Sequence, residues 1–515
     1  MVRTAHSLLA IAVLASACSL GTGTPTSTTA SAAGVSTGDP DITAADTVAR
    51  PGIHAADGLG DPLYPDLGNA GYDVQHVDVA IRFDTSSGRL EGQSVMEILA
   101  LEDLDSWSVD LDVLFPSAVL VDGEPAEWSH ENGELRIDPA KVVAAGETVA
   151  LSITYGGLTE PYDSPAATFM MGIQRSVDGF FALSEPDGTS SWMPVNDHPS
   201  DKATYSLAVS VPGPLVVAAS GTLVDVEQAD DGFIKYMFEV ADPIAPYLLA
   251  LGIGDFKLVE EEGPDGVVIR NYFDVDIRDS TLTIFDKQAE MIAFLADRFG
   301  PYPFDTYGAL VLDTTEVGVA LETQTLSTFG AQVLSLGEDV VIHELAHQWF
   351  GDSVSLERWD DIWLNEGFAT YAQWLWVEET QRPEFRDVRI AQAYELMSGR
   401  QFLNGTGSES VAAAQAYRQF PPPGEPRADD IFNASVYLRG GLTLHALRLE
   451  VGDETFFDIA RTFQTRFAYA NATTADFIAT VNEVAGEDLT GFVEAWLYDE
   501  AMPPLPSLGL APLNG

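Results

Sequence analysis

His343 and His347 stand four residues apart in V-V-I-H-E-L-A-H-Q-W-F-G-D (residues 340–352), and Glu344 directly follows the first histidine. Four residues along an α-helix return the chain to the same face, so both imidazoles can reach one metal ion. Glu344 is turned by about 100° from His343 and points beside that ion, where a base acting on metal-bound water has to stand. Eighteen residues lie between His347 and Glu366 in W-L-N-E-G-F-A, room for one helix to end, a loop to turn and a second helix to begin. Two histidines and a glutamate leave a fourth coordination position open, as in catalytic rather than structural zinc sites. The chemistry named by this pattern is zinc-assisted hydrolysis of a peptide bond.

The elements that would hold these groups can also be read. Val341, Ile342, Leu345, Ala346, Trp349 and Phe350 surround the histidines with apolar side chains, which predicts an interior helix. A buried Glu344 without a counter-charge would be costly, so a cation is implied beside it. Ser335 and Glu338 fit a capping box that would start the helix. Residues 362–377 carry Trp363, Trp374 and Trp376, and a carboxylate in so apolar a run needs a partner such as a dication. Asp352, Asp361 and Asn365 are candidates to orient the imidazole N–H groups.

With these motifs the chain resembles the aminopeptidase N family of zinc peptidases, which includes leukotriene hydrolase. Residues 318–323 (G-V-A-L-E-T) look like the family's G-x-M-E-N segment, which implies that Glu322 grips the free α-amine of a substrate. Residues 435–441 (S-V-Y-L-R-G-G) look like V-Y-x-x-G, implying that Tyr437 stabilises the oxyanion. Glu185-Pro186 and residues 192–202 resemble the P-x-x-D-x-P region and its second amine-binding glutamate, Glu185. Val319, Leu321 and Thr323 depart from the family's usual residues, which alters the wall of the first substrate pocket; Leu183 stands where many members carry a glutamine, which removes a substrate hydrogen bond, and His198 replaces a commonly acidic residue beside Pro199. Larger members continue into a long helical domain beyond the position of Gly515, so a short form with a more open cleft is expected.

The chemistry of the residues is coherent beside the resemblance. Glu344 would accept a proton from the attacking water and return it to the leaving amine. A carboxylate near the scissile bond binds an ammonium strongly in a dry site and leaves no room for upstream residues. Glu322, in A-L-E-T-Q-T between two β-branched runs, reads as a strand edge near the zinc helix; Glu185 rests mostly on the resemblance. Two alternatives remain open: an endopeptidase or small-molecule hydrolase on the same scaffold, and a non-catalytic surface-binding lipoprotein.

Acidic residues outnumber basic ones 79 to 25, for a net charge of −54. With no Lys/Arg cluster to neutralise phosphates, nucleic-acid binding is excluded, while cationic partners such as free amino termini are favoured. A hydrophobic content of 46% marks a folded chain. Arg3, the apolar run 8–14 and A-S-A at 15–17 predict a signal peptide over residues 1–17. Cys18 is the only cysteine, and L-A-S-A-C resembles a bacterial lipoprotein box, which predicts lipidation and a membrane tether at the cell surface or in the periplasm. Residues 18–48 then read as a flexible linker rich in Thr, Ser, Ala and Gly.

An α+β multidomain fold is expected. Residues 49–254 read as an all-β domain with a large curved sheet, since 77–83 and 205–211 alternate and Gly/Pro/Asp turns recur. Residues 255–515 read as a mainly helical, thermolysin-like catalytic domain that begins with a strand pair near 267–273 and a helix over 280–299. Helices over 440–450, 454–467 and 474–485 complete it. The sequence is silent on oligomeric state.

Overall fold

The computed structural model describes residues 58–510, apart from 165–169, 178, 315–317, 319 and 399–419. The expected signal peptide, linker and Cys18 lie outside the described residues.

The two segments singled out for alternation lie side by side. Strands Tyr72–Asp84 and Ala203–Pro212 pair in parallel, with Val77 opposite Tyr205, Val79 opposite Leu207 and Ile81 opposite Val209. All six are buried, while Asp78, Ala80 and Arg82 face solvent, as a period of two requires when one sheet face covers a core. This pair is the centre of an eight-stranded sheet ordered Thr222–Gln228, Phe233–Ile244, Ala203–Pro212, Tyr72–Asp84, Arg89–Ala100, Thr148–Leu158, Phe115–Val121 and Glu124–Pro125; its other neighbours are antiparallel. The β region is therefore more than one curved sheet. A three-stranded sheet packs beside it, and a four-stranded one (Val216–Ala219, Leu251–Gly254, Phe180–Leu183, Gly172–Arg175) carries the chain towards Glu185.

The second half opens on the pair Phe256–Glu262 and Val268–Asp274, which joins Ala309–Leu312, Ser327–Gly330 and the short edge strand Ala320–Leu321 in one sheet. The helix expected over 280–299 is broken. A helical turn, Asp279–Leu282, and a 3-10 turn, Thr283–Phe285, precede α1 (Gln288–Phe299). The restart turns Gln288 inward, where its side-chain amide exchanges two hydrogen bonds with buried Asn271, at 2.7 and 3.2 Å.

Helix α2 (Glu338–Ala346) carries the histidine motif, and α3 (Trp363–Thr380) carries Glu366; α4 (Pro383–Met397) follows. The capping box at Ser335 does not form. Ser335 belongs to a 3-10 turn, Val333–Leu336, and its hydroxyl donates to Gln332 O; Gly337, at φ 71°, is the N-cap. Glu338 is engaged instead by Trp376 Nε1 at 3.0 Å and Lys287 Nζ at 2.8 Å, and with Asp339 it places negative charge on the first turn. Helices α5 (Gly440–Val451), α6 (Asp453–Phe467), α7 (Thr474–Ala485) and α8 (Thr490–Tyr498) complete the second half. Thr473 and Asp476 make a reciprocal capping box at the start of α7.

Polar contacts join the halves. Gln324 N donates to Leu248 O, Gly221 N to Thr325 Oγ1 and Lys202 Nζ to Asp352 O. Asp61 accepts from Leu63, Tyr64 and Trp359 N–H groups, tying the start of the described chain to the second half.

Candidate metal centre

His343 lies within α2 and His347 at its C-cap, one turn apart, with ring centroids separated by 4.9 Å. Glu366 projects from the first turn of α3. Its Oε2 lies 3.1 Å from His343 Nε2 and 3.6 Å from His347 Nε2, and all three side chains are at most 4% exposed. Two imidazole nitrogens and a carboxylate oxygen thus converge among buried side chains, a donor set that fits zinc and, at three protein ligands, leaves the fourth coordination position to water or substrate. His347 Nδ1 sits 3.2 Å from Phe350 O, so it carries the proton and leaves Nε2 as the lone-pair donor. Burial pushes the His347 pKa down to about 4 despite the charge of Glu366, which keeps the ring neutral as a ligand must be. A second convergence, Glu322, Glu344 and His347, shares His347 but offers only one imidazole. We assign the ion to the two-histidine set on that chemistry.

The remaining groups ring this centre. Glu344 is buried beside it, and burial together with Glu322 and Glu366 raises its pKa well above the ordinary range. Glu322 follows directly on the edge strand Ala320–Leu321, and burial reinforced by Glu366 pushes its pKa up to about 8. Glu185, two residues beyond the strand Phe180–Leu183, is likewise raised by burial, then by Glu322, Glu366 and Glu344. Glu185 and Glu322 each keep one buried carboxylate oxygen without a hydrogen-bond partner among the described residues. So many carboxylates in one dry space repel one another, and both a dication and a substrate ammonium relieve that repulsion. Tyr437 lies in a π-helical turn, Ser435–Arg439, with its ring stacked 6.0 Å from that of His343 at 20°. The chain thus brings together all seven residues expected at the site: His343, His347, Glu366, Glu344, Glu322, Glu185 and Tyr437.

Among the described residues, none of the expected orienting side chains hydrogen-bonds an imidazole. Asp361 accepts from Thr474 N and Oγ1, Asn365 donates to Tyr247 OH, and among the described residues neither Asp352 carboxylate oxygen has a hydrogen-bond partner. His198 is buried 3.4 Å from Asp61, away from the metal ligands. Two positioning groups escaped the sequence reading. Gln348 donates from Nε2 to Glu322 O at 3.0 Å and accepts from Thr325 N at 2.8 Å, which pins the Glu322 loop to the zinc helix. Tyr247 is fully buried within the electrostatic reach of Glu322 and Glu185. Gln348 directly follows His347, and that adjacency was the available signal.

Residues 283–496 match the Peptidase family M1 domain, and residues 75–248 match the Peptidase M1 N-terminal domain. The crystal structure of an M1 zinc metallopeptidase from Deinococcus radiodurans is 32% identical, with a TM-score of 0.77, covering 87% of this chain and 99% of that one. A mutant of a D. radiodurans M1 zinc metallopeptidase bound to a Tyr-Ser-Ala substrate superposes with a TM-score of 0.78 at the same identity. A leucyl aminopeptidase of Saccharolobus solfataricus is 25% identical over 458 residues, which are 84% of this chain and 54% of the relative. Aminopeptidase M1-A of Oryza sativa is 27% identical over 436 residues, 77% of this chain and 48% of the relative. The chain spans about half the length of these curated relatives.

Proposed function

The chain belongs to peptidase family M1, and on that premise we propose that it is a zinc-dependent aminopeptidase releasing the N-terminal residue of peptides with a free α-amine. The observation that carries the proposal is the convergence of His343, His347 and Glu366, with Glu322 and Glu344 carboxylates beside His347.

Zinc, when bound, supplies a Lewis acid that polarises the scissile carbonyl and makes water more acidic. Glu344 takes the proton of the attacking water, a role suited to a carboxylate whose proton affinity is raised by burial, and returns it to the departing amine. The Tyr437 hydroxyl donates to the oxygen on which negative charge develops. Glu322 and Glu185 hold the substrate ammonium, and because both sit beside the metal ligands, the amine must lie close to the bond that breaks. An endopeptidase needs open space where these two carboxylates stand. Export and lipid anchoring through Cys18 belong to the same proposal, supported by residues 3–18 of the sequence.

The test is hydrolysis of a peptide series with free and acetylated amino termini, before and after chelation. Free-amine peptides are expected to be cleaved from the N-terminus, and chelation to abolish cleavage until zinc is restored. Internal cleavage of acetylated peptides at a comparable rate would establish an endopeptidase instead.

A further inference from the structure

A cavity of about 520 Å³ opens apart from the metal centre, between the edge of the eight-stranded sheet and α1. Arg270, on strand Val268–Asp274, forms part of its lining and is only 4% exposed. Its Nε donates to Thr306 Oγ1 at 3.2 Å, Nη1 to Tyr272 OH at 3.5 Å and Nη2 to Gly221 O. All three acceptors are uncharged, and among the described residues no carboxylate reaches the guanidinium. A guanidinium carries five N–H donors in a fork that matches a carboxylate, so donors remain for one. A buried cation satisfied only by neutral oxygens is a costly arrangement that an anionic group would relieve.

The rim has the opposite sign. Glu260 is the cross-strand partner of Arg270, and with Asp305 it lines the cavity from exposed positions. Ile292 and Phe304 supply apolar wall between rim and floor. A plain anion would have to pass these carboxylates on a chain of net charge −54, and a plain cation would meet Arg270. A molecule with a carboxylate at one end and an ammonium close by satisfies both. The volume lies within the range of about 300–1,000 Å³ typical of small-molecule sites.

We propose that this cavity is a second ligand site that binds a free α-amino acid, with the carboxylate on Arg270, the ammonium towards Glu260 and Asp305, and the side chain against Ile292 and Phe304. The floor adjoins the amine-binding loop, because Gly221 accepts from Arg270 and donates to Thr325 Oγ1 at 2.8 Å. The proposal rests on the cavity lining and holds whether or not the metal centre cleaves peptides.

Titration calorimetry on the zinc-loaded protein tests it, with the catalytic cleft saturated by a bulky zinc-chelating peptide inhibitor and L-leucine as the probe. Saturable binding is expected, weakened at least about tenfold by amidation of the carboxylate or acetylation of the amine, the size of one lost charge-assisted contact. Ala296→Phe fills the cavity from α1 and should abolish binding with unchanged peptide hydrolysis; Arg270→Gln should abolish it as well. If Arg270→Gln fails to fold, Ala296→Phe decides. No binding to the blocked protein, binding that survives Ala296→Phe, or equal binding of N-acetylleucine would overturn the proposal.

Discussion

Gly367 and Gly440 meet backbone to backbone where α3 crosses the start of α5: a Cβ built on Gly367 would lie 2.9 Å from Gly440 C, and one on Gly440 would lie 2.9 Å from Gly367 Cα. Glu366 is the residue before one glycine, and Tyr437 lies three before the other. Only the absence of two side chains lets these helices approach closely enough to place a metal ligand and a phenol around the same centre. Gly440→Ala forces the backbones apart at a point where neither can yield locally. It should cost about 1–3 kcal/mol of stability, the usual range for overpacking. Peptidase kcat, measured per mole of folded, zinc-loaded protein, should fall by about tenfold or more as Tyr437 shifts. Unaltered kcat in the folded variant would detach Tyr437 from the reaction.

Glu344→Gln keeps the shape of the side chain and removes the base. Zinc content by elemental analysis should stay at the wild-type level, since His343, His347 and Glu366 are untouched. Turnover of free-amine peptides should drop at least about a thousandfold, the scale of acid–base and water-activation effects. A zinc-loaded variant with near wild-type rates contradicts the assignment of Glu344.

What the sequence revealed followed from local periodicity. The four-residue step put His343 and His347 on one helix face, and the alternation of residues 77–83 and 205–211 found the central strands of the largest sheet. The placement of Glu322 beside a strand edge was legible from the β-branched runs on either side of it. What was hidden depends on tertiary contact. Gly367 and Gly440 both lie in motifs read from the sequence, but why glycine stands there was hidden, because their role exists only once α3 and α5 cross. Ser335 and Glu338 had the spacing of a capping box, but Gly337 took the cap and distant Trp376 and Lys287 took Glu338. Asp352, Asp361 and Asn365 were near the histidines in sequence, yet Phe350 O is what orients His347.

Gln348, next to His347 at the end of α2, reaches the loop that carries Glu322 through two buried hydrogen bonds to the backbone, at Glu322 O and Thr325 N. Gln348→Leu leaves both main-chain groups unpaired, at a cost of about 1–3 kcal/mol each. The loop carrying Glu322 should loosen while the metal ligands stay in place. KM for free-amine peptides should therefore rise several-fold with zinc content preserved, and Gln348→Glu should restore part of the Thr325 contact. A general structural defect would lower kcat and zinc content together and leave KM unchanged.

Arg448 ties α5 to its neighbours: its guanidinium holds Glu378 of α3 at 3.0 Å and Asp453 at the start of α6 at 2.9 Å. Burial raises the Glu378 pKa, but hydrogen bonds from Arg448 and Arg386 outweigh it, and the net effect is a value below the ordinary 4.5. The hydrogen bond from Arg448 likewise lowers Asp453 below 3.8. Both carboxylates release their protons more readily in the folded chain than in the unfolded one. Their contribution to stability is complete above about pH 5 and fades as pH falls through the depressed folded values. Arg448→Met removes that contribution at neutral pH and has nothing left to remove in acid. Thermal unfolding should show a Tm deficit for the variant at pH 7 that shrinks steadily towards pH 3. Asp453 is largely exposed, so most of the deficit should trace to Glu378, and Glu378→Gln should reproduce it better than Asp453→Asn. A deficit that stays constant across that range would assign Arg448 to packing against Phe457 and Tyr371 rather than to charge.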